Sequence, residues 1–219
     1  MKFGSISYLN LLPFQIYLKR VIQNSQTKQI INYKKDTPSS INIKFKTKKI
    51  DAAFISSIKS KGCRCTNLGI IAKSAVYSVF VLPNEQMFDA ESDTSNALSI
   101  ILNKKGKVVI GDKALKLYLK NPNMEFTDLA KEWQNRYKLP FVFARLCYNK
   151  HSKKIKKLAN NFNPHKEKIP QYYLKKEANK KGLSTKELIW YLNFISYKIG
   201  YKEKKSLKKF LKLVRKNRL

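Results

Sequence analysis

The start of the chain combines a short apolar strand, a polar loop and an amphipathic helix, and this order limits the folds open to the sequence. Phe3 to Ser7 predicts a strand, and Pro13 suits a first helical turn because its φ is fixed. Apolar residues then recur on one helical face, at Phe14, Tyr17, Leu18, Val21 and Ile22. Further strands are predicted at Ile30 to Tyr33 and Ala52 to Ile55. This alternation predicts an α/β protein with a mainly parallel sheet.

A break follows this first group of strands. Leu68 to Ala72 and Val76 to Leu82 are apolar runs typical of strands, and Pro83-Asn84-Glu85 then interrupts the pattern. We place a crossover between two lobes there and a second one near Pro140. The sequence therefore predicts one lobe from residues 1–82 and 142–219, another from 83–141, and a ligand cleft between them.

The local patterns define some later elements and leave one open. Ser92-Asp93-Thr94-Ser95 supplies N-caps for a helix, and strands are predicted at Lys107 to Ile110 and Pro140 to Ala144. In contrast, the segment around Ile41 to Phe45 alternates like a strand although Pro38-Ser39-Ser40 is typical of a helix start. Both structures remain open for this segment.

The chain beyond about Lys150 is predicted to be helical and very basic. Its last segment carries an amphipathic stripe that suits either a membrane surface or the body of the protein. We expect docking onto the protein, because the stripe is only about two turns long. The stripe consists of Leu207, Phe210, Leu211 and Val214.

The formal net charge of +32 prompts a search for a nucleic-acid partner. The lysines are spread along the whole chain, lysine greatly outnumbers arginine, and no zinc-finger or aromatic RNA-binding signature is present. We therefore expect no nucleic-acid partner. A positive field of this kind still steers anionic metabolites towards the protein.

Compartment and redox state follow from what the sequence lacks. No apolar stretch approaches the roughly 18 residues of a transmembrane helix, and the N-terminus is unlike a secretory signal. We therefore expect a cytoplasmic protein without a membrane partner. Cys63, Cys65 and Cys147 are predicted to be reduced thiols, and no metal site is expected because the histidines have no partner at ligand spacing.

The sequence excludes several kinds of chemistry and leaves a set of short polar side chains. No glycine-rich nucleotide loop, phosphate loop or Gly-x-Ser-x-Gly elbow is present. Polar residues do recur after predicted strands and at helix starts, where they can bind ligand oxygens. Each residue alone is most often a cap or turn residue, but their repetition at strand ends predicts a cleft for a small carboxylate. The set comprises Tyr8, Asn10, Ser39, Ser40, Ser56, Ser57, Ser78, Ser92, Thr94 and Ser95.

Several of these residues lie in motifs whose order resembles that of a known family. The motifs are Ser7-Tyr8-Leu9-Asn10 with Pro13, Ile50 to Ser57, Tyr77-Ser78-Val79 and Ser92 to Ser95. Together they resemble the menaquinone-biosynthesis family, which is built on the two-lobed type II periplasmic-binding-protein fold. Three later motifs resemble its chorismate dehydratase branch, which acts in the futalosine pathway: Ile110 to Ala114, Asp128 to Trp133 and Leu139 to Ala144. Arg145-Leu146-Cys147 departs from the apolar aromatic stretch usual in the family.

The resemblance implies a lyase that dehydrates chorismate to 3-[(1-carboxyvinyl)oxy]benzoate without a cofactor. It implies that Asn10 holds the enolpyruvyl side chain in its reactive pose, whereas the local pattern alone favours a turn residue there. It further implies substrate-binding roles that we assign to Tyr8, Ser40, Ser56, Ser57, Ser78, Thr94 and Ser95. The main alternative is a cytosolic binding protein of the same fold that captures a small carboxylate without catalysis.

Overall fold

The computed structural model describes residues 1–21, 32–83 and 85–219. Within these ranges the chain forms nine strands, nine α-helices and one short 3-10 helix, Leu9–Leu11. The strands are β1 (Lys2–Ser5), β2 (Asn32–Lys35), β3 (Ala52–Ser56), β4 (Cys65–Ala72), β5 (Val79–Leu82), β6 (Lys107–Ile110), β7 (Thr127–Asp128), β8 (Phe141–Tyr148) and β9 (Ile195–Lys198). The helices are α1 (Leu12–Val21), α2 (Pro38–Lys46), α3 (Asp93–Ile101), α4 (Gly111–Lys120), α5 (Leu129–Tyr137), α6 (Ser152–Asn161), α7 (Gln171–Lys181), α8 (Thr185–Leu192) and α9 (Tyr201–Lys216).

The strands form two separate sheets. The larger sheet has the order β2-β1-β3-β8-β4-β9, and the smaller sheet has the order β6-β5-β7. Strand β1 is parallel to β2 and β3, whereas β8 is antiparallel to β3 and β4, and β9 is antiparallel to β4. The prediction of a mainly parallel sheet is therefore wrong for these pairings. The pairings differ from the prediction because β8 lies between β3 and β4 and runs antiparallel to both.

The strand Val79–Leu82 pairs with β6 and β7 in the smaller sheet, apart from the earlier strands with which the sequence pattern grouped it. The reason is that the chain leaves the larger sheet after β4, several residues before Pro83. The predicted strand at Ile30 to Tyr33 lies partly outside the described residues, as do Ile22 and Asn84.

Helix capping decides the segment that the sequence left open. Residues 38–46 form α2, because Thr37 accepts a hydrogen bond from the Ser40 N–H and Pro38 occupies the first turn. Ile41 and Phe45 are buried one turn apart, while Ile43 is 65% exposed on the opposite side. The predicted helix after Ser92 is confirmed, since the Ser92 side chain accepts from the Ser95 N–H.

The C-terminal helix α9 docks onto the body of the protein, as its apolar stripe predicted. Phe210 is buried between Trp133 and Phe141, with ring centroids 6.1 and 5.1 Å away. The Trp133 indole donates to the hydroxyl of Ser206 at 2.9 Å. Across residues 1–21, 32–83 and 85–219, no helix is both long enough and apolar enough to span a bilayer. The chain beyond about Lys150 was predicted to be helical, and this prediction missed the strand β9.

The prediction of three reduced thiols is wrong for two of them. Cys65 and Cys147 form a disulfide between β4 and β8. The register of the antiparallel pair places these two residues directly opposite each other, which sequence spacing does not reveal. Cys63 remains a free, half-buried thiol.

A buried carboxylate anchors the segment that leads into the smaller sheet. One oxygen of Asp128 accepts from the backbone N–H groups of Val76 and Tyr77, both at 2.8 Å. The other oxygen accepts from Ala130 and Lys131 at 2.9 and 3.0 Å, and so caps α5. Burial raises the pKa of Asp128, and these four hydrogen bonds oppose that rise. A single side chain thus ties two distant segments together.

This arrangement predicts that Asp128→Asn destabilises the protein by about 1–3 kcal/mol. One acceptor oxygen becomes an NH2 group, which leaves two buried N–H groups without an acceptor. The matched control is Asp93→Asn, because Asp93 likewise lies at a helix start but forms an exposed ion pair with Lys59 at 2.9 Å. That change is expected to cost less than about 1 kcal/mol. Denaturant unfolding measures both variants, and equal losses would contradict the anchoring role.

Candidate functional site at the edge of the larger sheet

The carboxyl ends of β1, β2 and β3 lie at one edge of the larger sheet, because these strands are parallel. Polar residues lie at or after the end of each strand there: Tyr8 and Asn10 follow β1, Ser40 follows β2, Ser56 ends β3 and Ser57 follows it. This is the edge at which open α/β sheets bind ligands. The structure thereby brings three predicted polar loops to a common edge.

Tyr8 extends from this edge to the loops of the smaller sheet. Its hydroxyl donates to a carboxylate oxygen of Glu91 at 2.7 Å. Burial, together with the hydrogen bond and negative charge of Glu91, raises the pKa of Tyr8 above its usual range. The phenol therefore stays protonated at neutral pH and remains a hydrogen-bond donor.

The start of α4 packs directly against the loop after β1. Gly111 has a φ of +64°, and a Cβ at this position would lie only 2.9 Å from the Tyr8 ring. Its N–H donates to the carbonyl of Ser78 at 2.7 Å. The neighbouring Asp112 accepts from the Leu9 N–H at 3.1 Å and pairs with Lys181 at 2.6 Å. Burial raises the pKa of Asp112, although the hydrogen bond and charge of Lys181 oppose the rise.

Asn10 lies in a short 3-10 turn, Leu9–Leu11, that leads into α1. Its backbone carbonyl accepts from the hydroxyl of Tyr197 at 2.8 Å. The hydroxyl oxygens of Ser78 and Tyr191 lie 3.0 Å apart. Burial raises the pKa of Tyr191, and the neighbouring side chains of Ser78 and Asn10 oppose that rise. Asn10 and Ser78 of the predicted set therefore both lie close to Tyr191.

A second group of predicted residues lies between the loop after β3 and the start of α3. The Ile58 N–H donates to the Thr94 hydroxyl at 3.2 Å, and Ser57 donates to the carbonyl of Val142. The hydroxyl of Ser92 donates to that of Ser95 at 2.8 Å. Ser57, Thr94 and Ser95 are buried. Thr94 joins the loop to the helix start, Ser57 joins it to β8, and Ser95 is bonded within the helix cap.

Ser56 and Ser40 have separate surroundings. Ser56 exchanges two hydrogen bonds with the Asn42 side chain, at 3.0 and 3.2 Å, and is only partly buried. Ser40 donates to Asp36 at 2.6 Å within the turn that leads into α2. The structure therefore places Ser40 in the first turn of α2, apart from the hydrogen bond between Ser78 and Tyr191.

A separate groove lies away from these residues. Its volume is about 620 Å³, and it lies between α3 and the end of α9, lined by residues such as Lys59, Ala97, Leu211 and Arg215. None of the predicted site residues lines this groove. The residues around Asn10 are instead closely packed, with Ser78 2% and Tyr191 1% exposed.

The groups around Asn10 are suited to holding a ligand in one orientation. They are a carboxamide, a hydroxyl and neutral phenols, which bind carboxylate and hydroxyl oxygens as neutral hydrogen-bonding partners. Within residues 1–21, 32–83 and 85–219, no group of three or more His, Cys, Asp or Glu side chains is arranged to hold a metal ion.

Sequence reasoning did not identify Tyr191 or Tyr197. Both lie in the segment that was predicted only as basic and helical, and Tyr191 follows the apolar spacing of an ordinary helix face. Tyr197 reaches the Asn10 carbonyl, and Tyr191 reaches Ser78, in a segment that the pairing of β9 with β4 brings onto the larger sheet. Local sequence carries no signal of that pairing.

The fold matches several solved structures along nearly their whole length. A protein from Archaeoglobus fulgidus matches with a TM-score of 0.67 at 12% identity, covering 99% of this chain and 97% of that one. The aliphatic sulphonate binding protein of Escherichia coli matches with a TM-score of 0.56 at 12% identity, covering 100% of this chain and 92% of that one. A Candida albicans protein described as having the generic periplasmic binding protein fold matches with a TM-score of 0.55 at 11% identity, covering 99% of this chain and 95% of that one. The chain therefore has a two-lobed periplasmic-binding-protein fold.

Sequence comparison narrows this class to a family. The family model described as menaquinone biosynthesis matches residues 93–216. A curated protein of Campylobacter jejuni, named chorismate dehydratase, is 44% identical over 216 residues, which cover 97% of this chain and 96% of that protein. This chain belongs to the menaquinone biosynthesis family, as the order of its motifs predicted.

The contact between Gly111 and Tyr8 predicts the effect of Gly111→Ala. Alanine at this position has to adopt a left-handed backbone conformation, which costs about 1 kcal/mol. Its methyl group also clashes with the Tyr8 ring, which costs about 1–3 kcal/mol more. Gly62→Ala is the matched control, because Gly62 has a φ of +76° and open space around it. Thermal unfolding should show the larger loss for Gly111→Ala. If the two losses are equal, Tyr8 is not tightly packed against α4.

Proposed function

We propose that this protein removes water from chorismate to give 3-[(1-carboxyvinyl)oxy]benzoate, an early step of menaquinone biosynthesis through the futalosine pathway. The observation that carries the proposal is the 44% identity to the Campylobacter jejuni chorismate dehydratase along nearly the whole chain. The proposed activity is that of a hydro-lyase without a cofactor. The positive charge of the protein supports a substrate with two carboxylates.

In the proposed mechanism, the enolpyruvyl carboxylate of the substrate removes the ring proton from the carbon that bears the ether oxygen. The neighbouring ring hydroxyl leaves with a proton as water, and the ring becomes aromatic. The protein then has to orient the side chain and exclude water rather than supply a strong base. The hydrogen-bonding groups around Asn10 are neutral, which supports a role in orienting the substrate rather than in removing a proton.

We propose that Asn10 holds the enolpyruvyl group in its reactive pose. Tyr8 and Ser78 are proposed to bind substrate beside it, because both lie in the loops that meet at this edge. The same role is proposed for Ser56, which is partly exposed. The remaining residues of the predicted set, with hydroxyls bonded inside the protein, are proposed to shape the wall that holds the carboxylates: Ser40, Ser57, Thr94 and Ser95.

We propose that each sheet belongs to one lobe and that the substrate binds between them. The chain then crosses once between β4 and β5 and returns before β8. The contacts of Tyr8 with Glu91 and of Leu9 with Asp112 join the loops of the two sheets. Closure of such contacts around chorismate would exclude water from the reacting atoms.

We also propose that the protein works in the cytoplasm, without a nucleic-acid or membrane partner. The spread of lysine over the whole sequence supports a charged, solvated surface rather than one concentrated nucleic-acid site. A sharp salt dependence of binding to DNA or RNA would contradict this part of the proposal.

The function is tested by incubating the purified protein with chorismate. We expect loss of chorismate and equal formation of the aromatic product, detected by absorbance and mass, with no loss of activity after chelation and dialysis. Chorismate binding without turnover would favour the alternative of a binding protein. Activity that a metal ion restores after chelation would contradict the proposed independence from cofactors.

The role of Asn10 predicts that Asn10→Ala lowers turnover by about 100-fold or more, because loss of orientation alone has effects of this size. The free energy of unfolding should change by only about 1 kcal/mol. Turnover and denaturant unfolding are measured on the same preparation.

The matched control is Asn149→Ala. Asn149 donates to the carbonyls of Phe45 and Ile50 at 2.8 and 3.0 Å, away from Asn10 and Ser78. This change should lower stability by about 1–3 kcal/mol and preserve turnover wherever the variant is folded. If Asn10→Ala behaves in the same way, Asn10 has a structural role only.

A further inference from the structure

The turn that carries Asn10 begins without a cap from its own segment. Tyr8 occupies the N-cap position of the 3-10 turn Leu9–Leu11, but its side chain makes no capping hydrogen bond there. The Tyr8 hydroxyl donates to Glu91 instead. Because the first N–H groups of a helical turn have no partner within that turn, the Leu9 N–H needs an acceptor from elsewhere in the protein.

Asp112 supplies this acceptor from 103 positions further along the chain. Its Oδ1 accepts from the Leu9 N–H at 3.1 Å, and its Oδ2 forms an ion pair with the Lys181 ammonium at 2.6 Å. The Asp112 side chain is only 10% exposed. A carboxylate with a different partner on each oxygen is restrained about its terminal torsion, so the ion pair keeps Oδ1 directed at the turn.

The helix α4, which carries Asp112, is itself held at both ends. At its start, the Gly111 N–H donates to the carbonyl of Ser78 at 2.7 Å. Towards its end, the Tyr118 ring is stacked on Trp190 of α8, with centroids 6.1 Å apart and an angle of 7° between the ring planes. Asp112 therefore reaches the turn from a fixed element, as precise positioning requires.

A second distant side chain holds the other side of the same turn. The Tyr197 hydroxyl donates to the Asn10 carbonyl at 2.8 Å, and Tyr197 is buried on β9. The backbone is thus bonded immediately before Asn10, through the Leu9 N–H, and immediately after its Cα, through the Asn10 carbonyl. The Asn10 side chain can act at a defined place only if this backbone is fixed.

We propose that Asp112 is a positioning residue that caps the turn carrying Asn10 and so fixes the place from which the Asn10 side chain acts, while Lys181 holds the carboxylate in position. The inference rests on the proposed function, in which Asn10 orients the substrate. Asp112 acts through the backbone of the turn and takes no part in the chemical step. This gives a role to the acidic residue of the motif Ile110 to Ala114, which the sequence alone left without one.

Asp112→Ala tests this inference, because it removes the acceptor of the Leu9 N–H. We expect kcat for chorismate to fall about 10- to 100-fold with a smaller change in KM, as for a misplaced orienting group. The matched control is Glu132→Ala, since Glu132 also lies in a first helical turn and pairs with a lysine, Lys104, at 2.8 Å. The control should retain its kcat. Equal kcat values for the two variants would overturn the inference.

Two double variants separate the hydrogen bond to Leu9 from the ion pair. Lys181→Met is combined with Asp112→Ala in one and with Asp112→Asn in the other, so neither leaves an unpaired charge. Only the variant with asparagine keeps an acceptor oxygen for the Leu9 N–H, and we expect its kcat to be about 3- to 10-fold higher. This comparison also applies where Asp112→Ala alone does not fold. Equal kcat values for the two double variants would overturn the inference.

A combination with Asn10→Ala separates action through Asn10 from an independent effect. If Asp112 works only by placing Asn10, adding Asp112→Ala to Asn10→Ala should lower kcat by less than about 2-fold. Independent contributions would multiply, so a full additional loss in this double variant would overturn the inference.

Amide hydrogen exchange needs no substrate and therefore separates this inference from the proposed function. We expect the Leu9 N–H of Asp112→Ala to exchange at least about 10-fold faster relative to the buried Ile155 N–H, which donates to the carbonyl of His151 at 3.0 Å. Glu132→Ala should leave this ratio unchanged. An unchanged ratio in Asp112→Ala would overturn the inference. Absence of chorismate turnover in the unmodified protein would reject the proposed function instead, while the exchange ratio still reports whether Asp112 holds the turn.

Discussion

The Asp128 carboxylate is the interaction on which the arrangement of the site depends. Its hydrogen bonds to Val76 and Tyr77 fix the chain immediately before Ser78, and those to α5 fix that segment against the smaller sheet. Ser78 then accepts from Gly111 through its carbonyl and meets Tyr191 through its hydroxyl. One buried acceptor group therefore determines the positions of groups contributed by three different parts of the chain. Such a network is effective only when its members are all satisfied, because an unpaired buried group is costly.

The chemistry proposed for this site explains why neutral groups surround Asn10 in a protein of such high charge. Lysines at the surface attract an anionic substrate over a distance, but they do not define its orientation. Hydroxyls and a carboxamide define orientation through directional hydrogen bonds, and burial keeps the phenols protonated. The division between a charged exterior and a neutral site is consistent with a reaction in which the substrate supplies its own base.

Local sequence predicted those parts of the structure that local chemistry determines. The helix after Ser92 begins where its cap predicts, and the stripe around Phe210 docks as expected. Capping also explains why the ambiguous segment beginning at Pro38 is a helix. The insertion of β8, the strand β9 and the disulfide depend on pairing between distant residues, and local patterns do not encode that pairing. Asn10 and Ser78 were therefore recognisable from motifs, whereas their partners Tyr197 and Tyr191 required the folded chain.

The pairing of β9 with β4 also has a consequence for the order in which the protein forms. The hydrogen bond from Tyr197 to Asn10 joins residues 187 positions apart. A ribosome releases the N-terminal end first, so the turn that contains Asn10 leaves the exit tunnel long before its partners are synthesised. Contacts of such high sequence separation carry a large loop-closure cost and slow folding. The nascent chain therefore cannot form the hydrogen bond to the Asn10 carbonyl until Tyr197 has left the exit tunnel.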